Sequence, residues 1–215
     1  GYGIERARRT YSRLAAAAEA LPGVEGVSFA SHLPLAFEIR TTSALPTGHE
    51  VADPADWPEI DTSLVAAGYF ELLQMPLMAG RGFDATDGPG SMPVAVVNQA
   101  FVRRFWPDRD PLEQSVRVGG DSSRPVRVIG VVRDAKYRTM GEEPRPFLYQ
   151  AIAQGDETGW SLLVRGPREV TLLPLLRDLA RQIDPESPIR RLRTLEEVTA
   201  ASLLLPRAGA TLFGL

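Results

Sequence analysis

The side chains able to do acid–base, nucleophilic or metal chemistry are few, and their spacing assembles no known constellation. His32 and His49 are the only histidines. Each lies close to a proline in a loop-like stretch, with no second ligand or base at metal-site or catalytic spacing, so an ordinary surface histidine is the plainer reading of both. There is no Gly-x-Ser-x-Gly elbow and no His-Glu-x-x-His pair. No phosphate loop ends in Gly-Lys-Ser/Thr, and Gly1-Tyr2-Gly3 follows no strand and lacks the third glycine of a dinucleotide fingerprint. The absence of cysteine excludes disulfides, thiolate catalysis and cysteine-based metal sites.

Carboxylates offer little more. Asp84-Ala85-Thr86-Asp87-Gly88 echoes a calcium loop but lacks the other oxygen ligands and the closing glutamate, and reads as an Asx-type turn. Glu142-Glu143 and Glu196-Glu197 are adjacent pairs, whose side chains diverge on a helix or strand and form no acid–base dyad. The second pair opens a helix, where the macrodipole already favours acids. The sequence therefore predicts no catalytic residue, no cofactor and no metal.

One run mixes basic and aromatic residues as single-strand binders do: Phe101-Val102-Arg103-Arg104-Phe105-Trp106. Phe101 and Phe105 are four apart and share a core-facing side of a helix, which turns the arginines outward. Arg103, Arg104 and Arg109 are the candidate partner contacts. Lys+Arg is 24 and Asp+Glu is 27 in 215 residues, a net charge of −3, which argues against nucleic acid as the partner.

The positioning elements follow from periodicity. Ile4, Ala7, Tyr11, Leu14, Ala18 and Leu21 make one helical stripe, with Arg6, Arg8, Arg9 and Arg13 mostly off it, and Pro22-Gly23 ends the helix. That arginine cluster reads as a solvated helix face, or as a contact for lipid headgroups or an acidic partner. Val24–Ser31 alternates as a strand, Phe37–Pro58 is a long loop or irregular hairpin, and Ile60–Ala66 is a second strand. Gly68–Leu73 is an aromatic helical turn, Pro76 forces an extended exit, and Gly80–Phe83 reads as a tight turn. Val94–Val97 is a buried strand, Asn98 caps the next helix, and Trp106-Pro107 stops it. Further strands are expected at Ser115–Val118, Arg124–Arg133, Phe147–Ile152, Trp160–Val164 and Ile189–Arg193. A helix is expected within Arg168–Ile183, with Pro174 tolerable near its start. Thr194-Leu195-Glu196-Glu197 is a capping box for the last helix, which Pro206 kinks or ends. The fold class is α+β: a split layer made from both ends of the chain, with a mixed, strand-rich block inserted between them.

The run Gly68-Tyr69-Phe70-Glu71-Leu72-Leu73-Gln74-Met75-Pro76, continuing to Gly80-Arg81-Gly82-Phe83, resembles the extracytoplasmic core domain of MacB/FtsX-type ABC transporter permeases. Further motifs hold the register: Val94–Phe101, Phe105-Trp106-Pro107, Asp110-Pro111-Leu112, Val128–Asp134, Pro144–Tyr149, Leu21–Val24, Asp184-Pro185 and Arg193–Glu197. Glu113 departs from the glycine usual in that family, and Leu205-Pro206-Arg207 places a proline in what is normally an unbroken helix.

The resemblance implies a membrane-proximal, porter-like subdomain from 1–67 plus 157–205 and an inserted, sabre-like lobe over 68–156. It implies a non-catalytic domain on the extracytoplasmic side of the cell membrane, coupling cytoplasmic ATP hydrolysis to export or mechanotransmission. Its partners would be an ABC ATPase domain or subunit, an adaptor or other extracytoplasmic protein, and the membrane through flanking helices, with a homodimeric parent and an isolated domain able to be monomeric. The apolar run Leu203–Leu215 is too short for a span of about 20 residues; residues 206–215 read as the start of a truncated transmembrane helix, or as a terminal helix docked on the core. The rival expectation is a stand-alone ligand-binding module or enzyme, its site in the Phe37–Pro58 loop or around Asp84–Asp87.

Overall fold

A computed structural model describes residues 3–35, 40–120, 124–167, 172–185 and 192–200. In chain order the elements are α1 (Ile4–Glu19), β1 (Gly26–Ala30), β2 (Thr41–Pro46), β3 (Glu59–Val65), α2 (Tyr69–Leu72), β4 (Leu77–Gly80) and β5 (Val94–Asn98). They continue with α3 (Gln99–Phe105), β6 (Ser115–Val118), β7 (Val126–Val132), β8 (Phe147–Ala151), β9 (Ser161–Arg165) and α4 (Leu172–Ile183). A last helix, α5, covers 195–200. The architecture is α+β, as the sequence predicts.

Six strands close into a ring. The first half of β2, Thr41–Ser43, pairs antiparallel with β3, and its second half, Ala44–Pro46, pairs antiparallel with β6. From there β6 pairs with β7, β7 with β5 in parallel, β5 with β8, and β8 with β3 in parallel. Every ring strand contributes to one buried cluster: Ala44, Ile60, Ala95, Val97, Val116, Val126, Val128 and Leu148. This is the ring's interior, and Phe101 and Phe105 of α3 close it together with Trp106, the residue that follows the helix. Trp106 also donates its Nε1–H to the Thr47 carbonyl just beyond β2, 3.0 Å away. A second cluster lies on the outer face and joins Val94, Val96, Phe147, Tyr149 and Ala151 to Tyr69 and Phe70 of α2, with Phe83 and Tyr137.

The apolar run of β5 is unbroken because both its faces are buried: Val94 and Val96 go to one cluster, Ala95 and Val97 to the other. Along β7 the alternation slips once. Ala95 faces Val128 but Val96 faces Gly130, so Ile129 is an extra residue. That bulge lets Val126, Val128 and Val131 all face the interior, while Ile129 and Val132 face outward.

Outside the ring, β1 joins β3 through Ala30 and Val65, and β9 pairs along all of β1. α1 packs on β1 and against α4. Tyr11 of α1 meets Phe29 and Trp160 at ring-centroid distances of 5.2 and 4.5 Å. The pairings thus join strands from the first 67 residues to the central strands in one sheet.

Three local expectations change. Thr41–Pro46, within the stretch expected as a long loop or irregular hairpin, is a strand: its first half pairs antiparallel with the next strand, β3, as a hairpin would, and its second half with β6, far off in sequence. Leu77–Gly80 is a strand on β7, and Gly80–Phe83 continues it without a tight turn, Arg81 N–H donating to the Ile129 carbonyl at 2.9 Å. At Glu113 the chain makes a 3-10 turn, Pro111–Glu113, whose start Asp110 caps by accepting from Leu112 N–H at 2.9 Å. Pro174 is the third described residue of α4 and so stands near its start, where a proline is tolerated. The capping box is formed: Thr194 Oγ1 accepts from Glu197 N–H and Glu197 Oε2 from Thr194 N–H. The first residues of the stretch expected to hold a helix, 168–171, most of the strand expected at Ile189–Arg193, Pro206 and the segment 206–215 lie outside the described residues.

Candidate functional site

Among the three arginines singled out by sequence, α3 treats each differently. Its N-terminus is built twice over. Asn98, almost wholly buried, accepts from Phe101 N–H at 3.0 Å and from Phe147 N–H at 2.9 Å, and donates to the Arg145 carbonyl at 2.8 Å. Asp134 accepts from Ala100 N–H at 2.7 Å and, through its other oxygen, from Arg103 Nη2 at 2.7 Å. Arg103 is therefore engaged in holding the β7–β8 connection to α3. Arg104 lies over the Phe105 ring, 5.1 Å from its centre. Arg109 is exposed and its guanidinium packs against Gly48.

Arg104 also borders a cleft of about 420 Å³, which sequence spacing did not reveal. Asp61 of β3 lies at its base, 3% exposed. Arg138 grips this carboxylate with both arms, Nε at 3.1 Å and Nη2 at 2.5 Å, and Arg145 approaches at 3.5 Å. The hydrogen bonds to Asp61 hold the Arg138 guanidinium above its ordinary pKa. Glu142 folds the loop itself, accepting from Tyr137 N–H and from Arg138 N–H through one oxygen. Glu59 and Glu143 complete the rim. Four carboxylates and three guanidiniums line a cleft of mixed charge, one negative charge in excess, and the Asp61 pairs fasten the 134–146 connection across the ring.

Groups able to act as nucleophile or base are tied into the backbone. His32 Nδ1 is 3.1 Å from Ser31 Oγ, while Ser31 Oγ accepts from Leu64 N–H at 2.9 Å. Ser63 Oγ accepts from His32 N–H and donates to the His32 carbonyl. His49 Nε2 meets the Phe105 carbonyl at 2.8 Å, so it carries the proton there. Asp84 Oδ1 accepts from Thr86 N–H at 2.8 Å, and Asp87 is gripped by both arms of Arg81, at 2.7 and 2.9 Å. The calcium-like oxygens are thus spent on a guanidinium, whose hydrogen bonds hold the Asp87 carboxyl below its usual pKa range. Burial pushes the phenols of Tyr69, Tyr137 and Tyr149 well above theirs, and Tyr69 and Tyr137 hydroxyls share a 2.8 Å hydrogen bond. No group of three or more His, Asp or Glu among the described residues is placed to hold a metal ion. No described helix is long and apolar enough to cross a membrane.

The described residues thus form a ring of mixed strands with a side layer of helices and strands, and their polar clusters anchor loops. Residues 3–172 match the family described as the MacB-like periplasmic core domain, and the chain belongs to that family. It is the extracytoplasmic domain of an ABC-type transporter permease. Solved structures agree in fold. The periplasmic region of MacB from Actinobacillus actinomycetemcomitans is 17% identical, with a TM-score of 0.55, and the match covers 80% of this chain and 72% of that one. The extracellular domain of YknZ, a noncanonic ABC-type transporter from Gram-positive bacteria, is 16% identical, with a TM-score of 0.52 and 79% of each chain covered. No curated protein sequence matches the chain.

Proposed function

We propose that the domain is a non-catalytic coupling element, through which ATP hydrolysis by a separate cytoplasmic ATPase domain or subunit drives export or mechanotransmission. The observation that carries this is how α1 is fastened. Arg8 Nη2 donates to the carbonyls of Ala153 and Gly155, both at 3.0 Å. Tyr11 hydroxyl donates to the Thr158 carbonyl at 3.0 Å and accepts from Trp160 N–H at 3.1 Å. The segment so gripped links β8, in the ring, to β9, in the side layer. A shift of α1 must therefore move both, because packed elements pass on displacement rather than absorb it.

In this reading 1–67 with 157–205 is the half nearer the membrane and 68–156 the inserted lobe, sharing β2 and β3 with the ring. Flanking helices reach the membrane, 206–215 beginning one of them, and the parent permease is a homodimer. Arg104 and Arg109, with Arg103 only where Asp134 releases it, are contacts for an adaptor or another extracytoplasmic protein. Incubating the isolated chain with ATP and divalent metal ions tests the non-catalytic part: no turnover is expected, and robust hydrolysis would overturn it. Purification of the full permease from membranes tests the partner, with an ABC ATPase expected to accompany it.

A further inference from the structure

A basic seam runs between α1 and α4. The two helices are antiparallel, since each is joined to one of the antiparallel strands β1 and β9. Arg6 reaches Asp184 across their boundary at 3.3 Å, which fixes the level of one helix against the other. With an equal rise per residue on both helices, Arg9 stands level with Arg181, and Arg13 with Arg177. At about 100° per residue, Arg9 and Arg13 share the flank of α1 that carries Arg6, and Arg177 and Arg181 share the flank of α4 that carries Asp184. Four exposed guanidiniums therefore line both sides of one groove. None of the four has a carboxylate partner among the described residues, in a chain whose net charge is −3. Glu19 lies on the far flank of α1; Glu5, one turn before Arg9, is paired with Arg8 instead; Asp178 stands one turn before Arg181 with no ion pair to it, and Asp184, at the seam, is engaged by Arg6.

Helices in contact are about 8–10 Å apart, close to one Debye length at physiological salt, so these cations repel one another, the more so at low salt, until an anion covers them. We propose that the α1/α4 seam docks on anionic phospholipid headgroups. Two side-by-side helices offer a flat, extended cationic face, which suits a plane of phosphates better than a single small anion. The domain belongs to a membrane permease, so such a plane is at hand. The proposal does not depend on coupling to ATP hydrolysis.

The test is co-sedimentation of this chain with vesicles of phosphatidylcholine alone and of phosphatidylcholine mixed with phosphatidylglycerol. Each basic residue at an anionic surface is worth roughly fivefold in partition. Binding is expected to need phosphatidylglycerol, to fall with added salt, and to drop at least about tenfold when Arg9, Arg13, Arg177 and Arg181 are all changed to Gln. The pair Arg124→Gln and Arg127→Gln, exposed on the ring side, is expected to keep it. Unchanged far-ultraviolet circular dichroism shows that each variant is folded, and Arg9→Gln with Arg181→Gln replaces the quadruple change if that one is not. Equal binding to both vesicle types overturns the proposal, as does equal loss in the seam and ring-side variants. No binding at all also overturns it and leaves an acidic protein surface as the seam's cover.

Discussion

Replacing Gly130 by alanine is expected to detach β4 from β7. A methyl group there would overlap the Arg81 carbonyl oxygen and stand 3.1 Å from its carbon and 3.4 Å from its nitrogen. All three atoms are backbone, so no side chain can swing aside. Relief requires moving the 77–81 segment, which carries the Arg81 N–H to Ile129 bond and, next to it, the Arg133 N–H to Pro76 bond, at 2.9 and 3.0 Å. Losing two such bonds costs about 2 kcal/mol. Overpacking adds about 1 kcal/mol or more, and the stiffer unfolded chain returns about 0.5–1 kcal/mol. The net loss is about 2 kcal/mol, or roughly 1 M in urea midpoint for a chain of this size. Gly141 and Gly159 are internal controls: a methyl on either meets nothing within 4 Å and neither has a left-handed backbone. Their alanine variants are expected within about 0.5 kcal/mol of the parent. A Gly130→Ala midpoint no lower than these controls would refute the close crossing of β4 and β7.

Other substitutions probe the anchors in turn by urea unfolding. Asn98→Ala strands the Phe101 and Phe147 N–H groups and the Arg145 carbonyl, and is expected to cost about 3 kcal/mol; Asn98→Asp, which keeps the acceptors, should cost less. Arg138→Ala leaves buried Asp61 with only Arg145 at 3.5 Å. The 3–5 kcal/mol typical of a broken buried pair shrinks to about 2, because a third of Arg138 is in water. Asp87 has a folded-state pKa below its unfolded one, so its contribution is full above about pH 4 and is lost as pH falls through the lower folded value. Asp87→Asn should therefore lower the midpoint at neutral pH and flatten the acid side of the stability profile; an unchanged acid limb would count against the Arg81 grip.

What the sequence made legible was local. Val94–Val97 followed by Asn98 reads as a buried strand and a capped helix, and Phe101, Phe105 and Trp106 are buried as their spacing demands. The capping box at Thr194 is equally local. What stayed hidden depends on distant partners. β2 has no clean alternation of its own and becomes a strand by bridging β3 and β6. β4 looks like a chain exit because its only partner, β7, begins far along the chain. Asp61 and Arg138 are separated by 77 residues, so no motif could join them. Arg103, Arg104 and Arg109 were picked out by their surroundings in sequence, yet Arg103 proves to be an anchor for Asp134. The arginines of α1 were visible from the start, but their counterparts on α4 join them only through the pairing of β1 with β9.

The coupling role is tested most directly by watching the lobe while the ATPase works. These 215 residues hold no cysteine, so with any cysteines elsewhere in the permease replaced, Met92→Cys, at a side chain 63% exposed on the central block, gives one spin-label site per subunit of the proposed homodimer. Pulsed dipolar distances between subunits, with and without ATP, are expected to shift in the parent. The shift should vanish when Arg8→Ala and Tyr11→Phe release α1 from the 153–160 segment. Identical distances in the two nucleotide states, or a shift that survives the release of α1, would contradict the account.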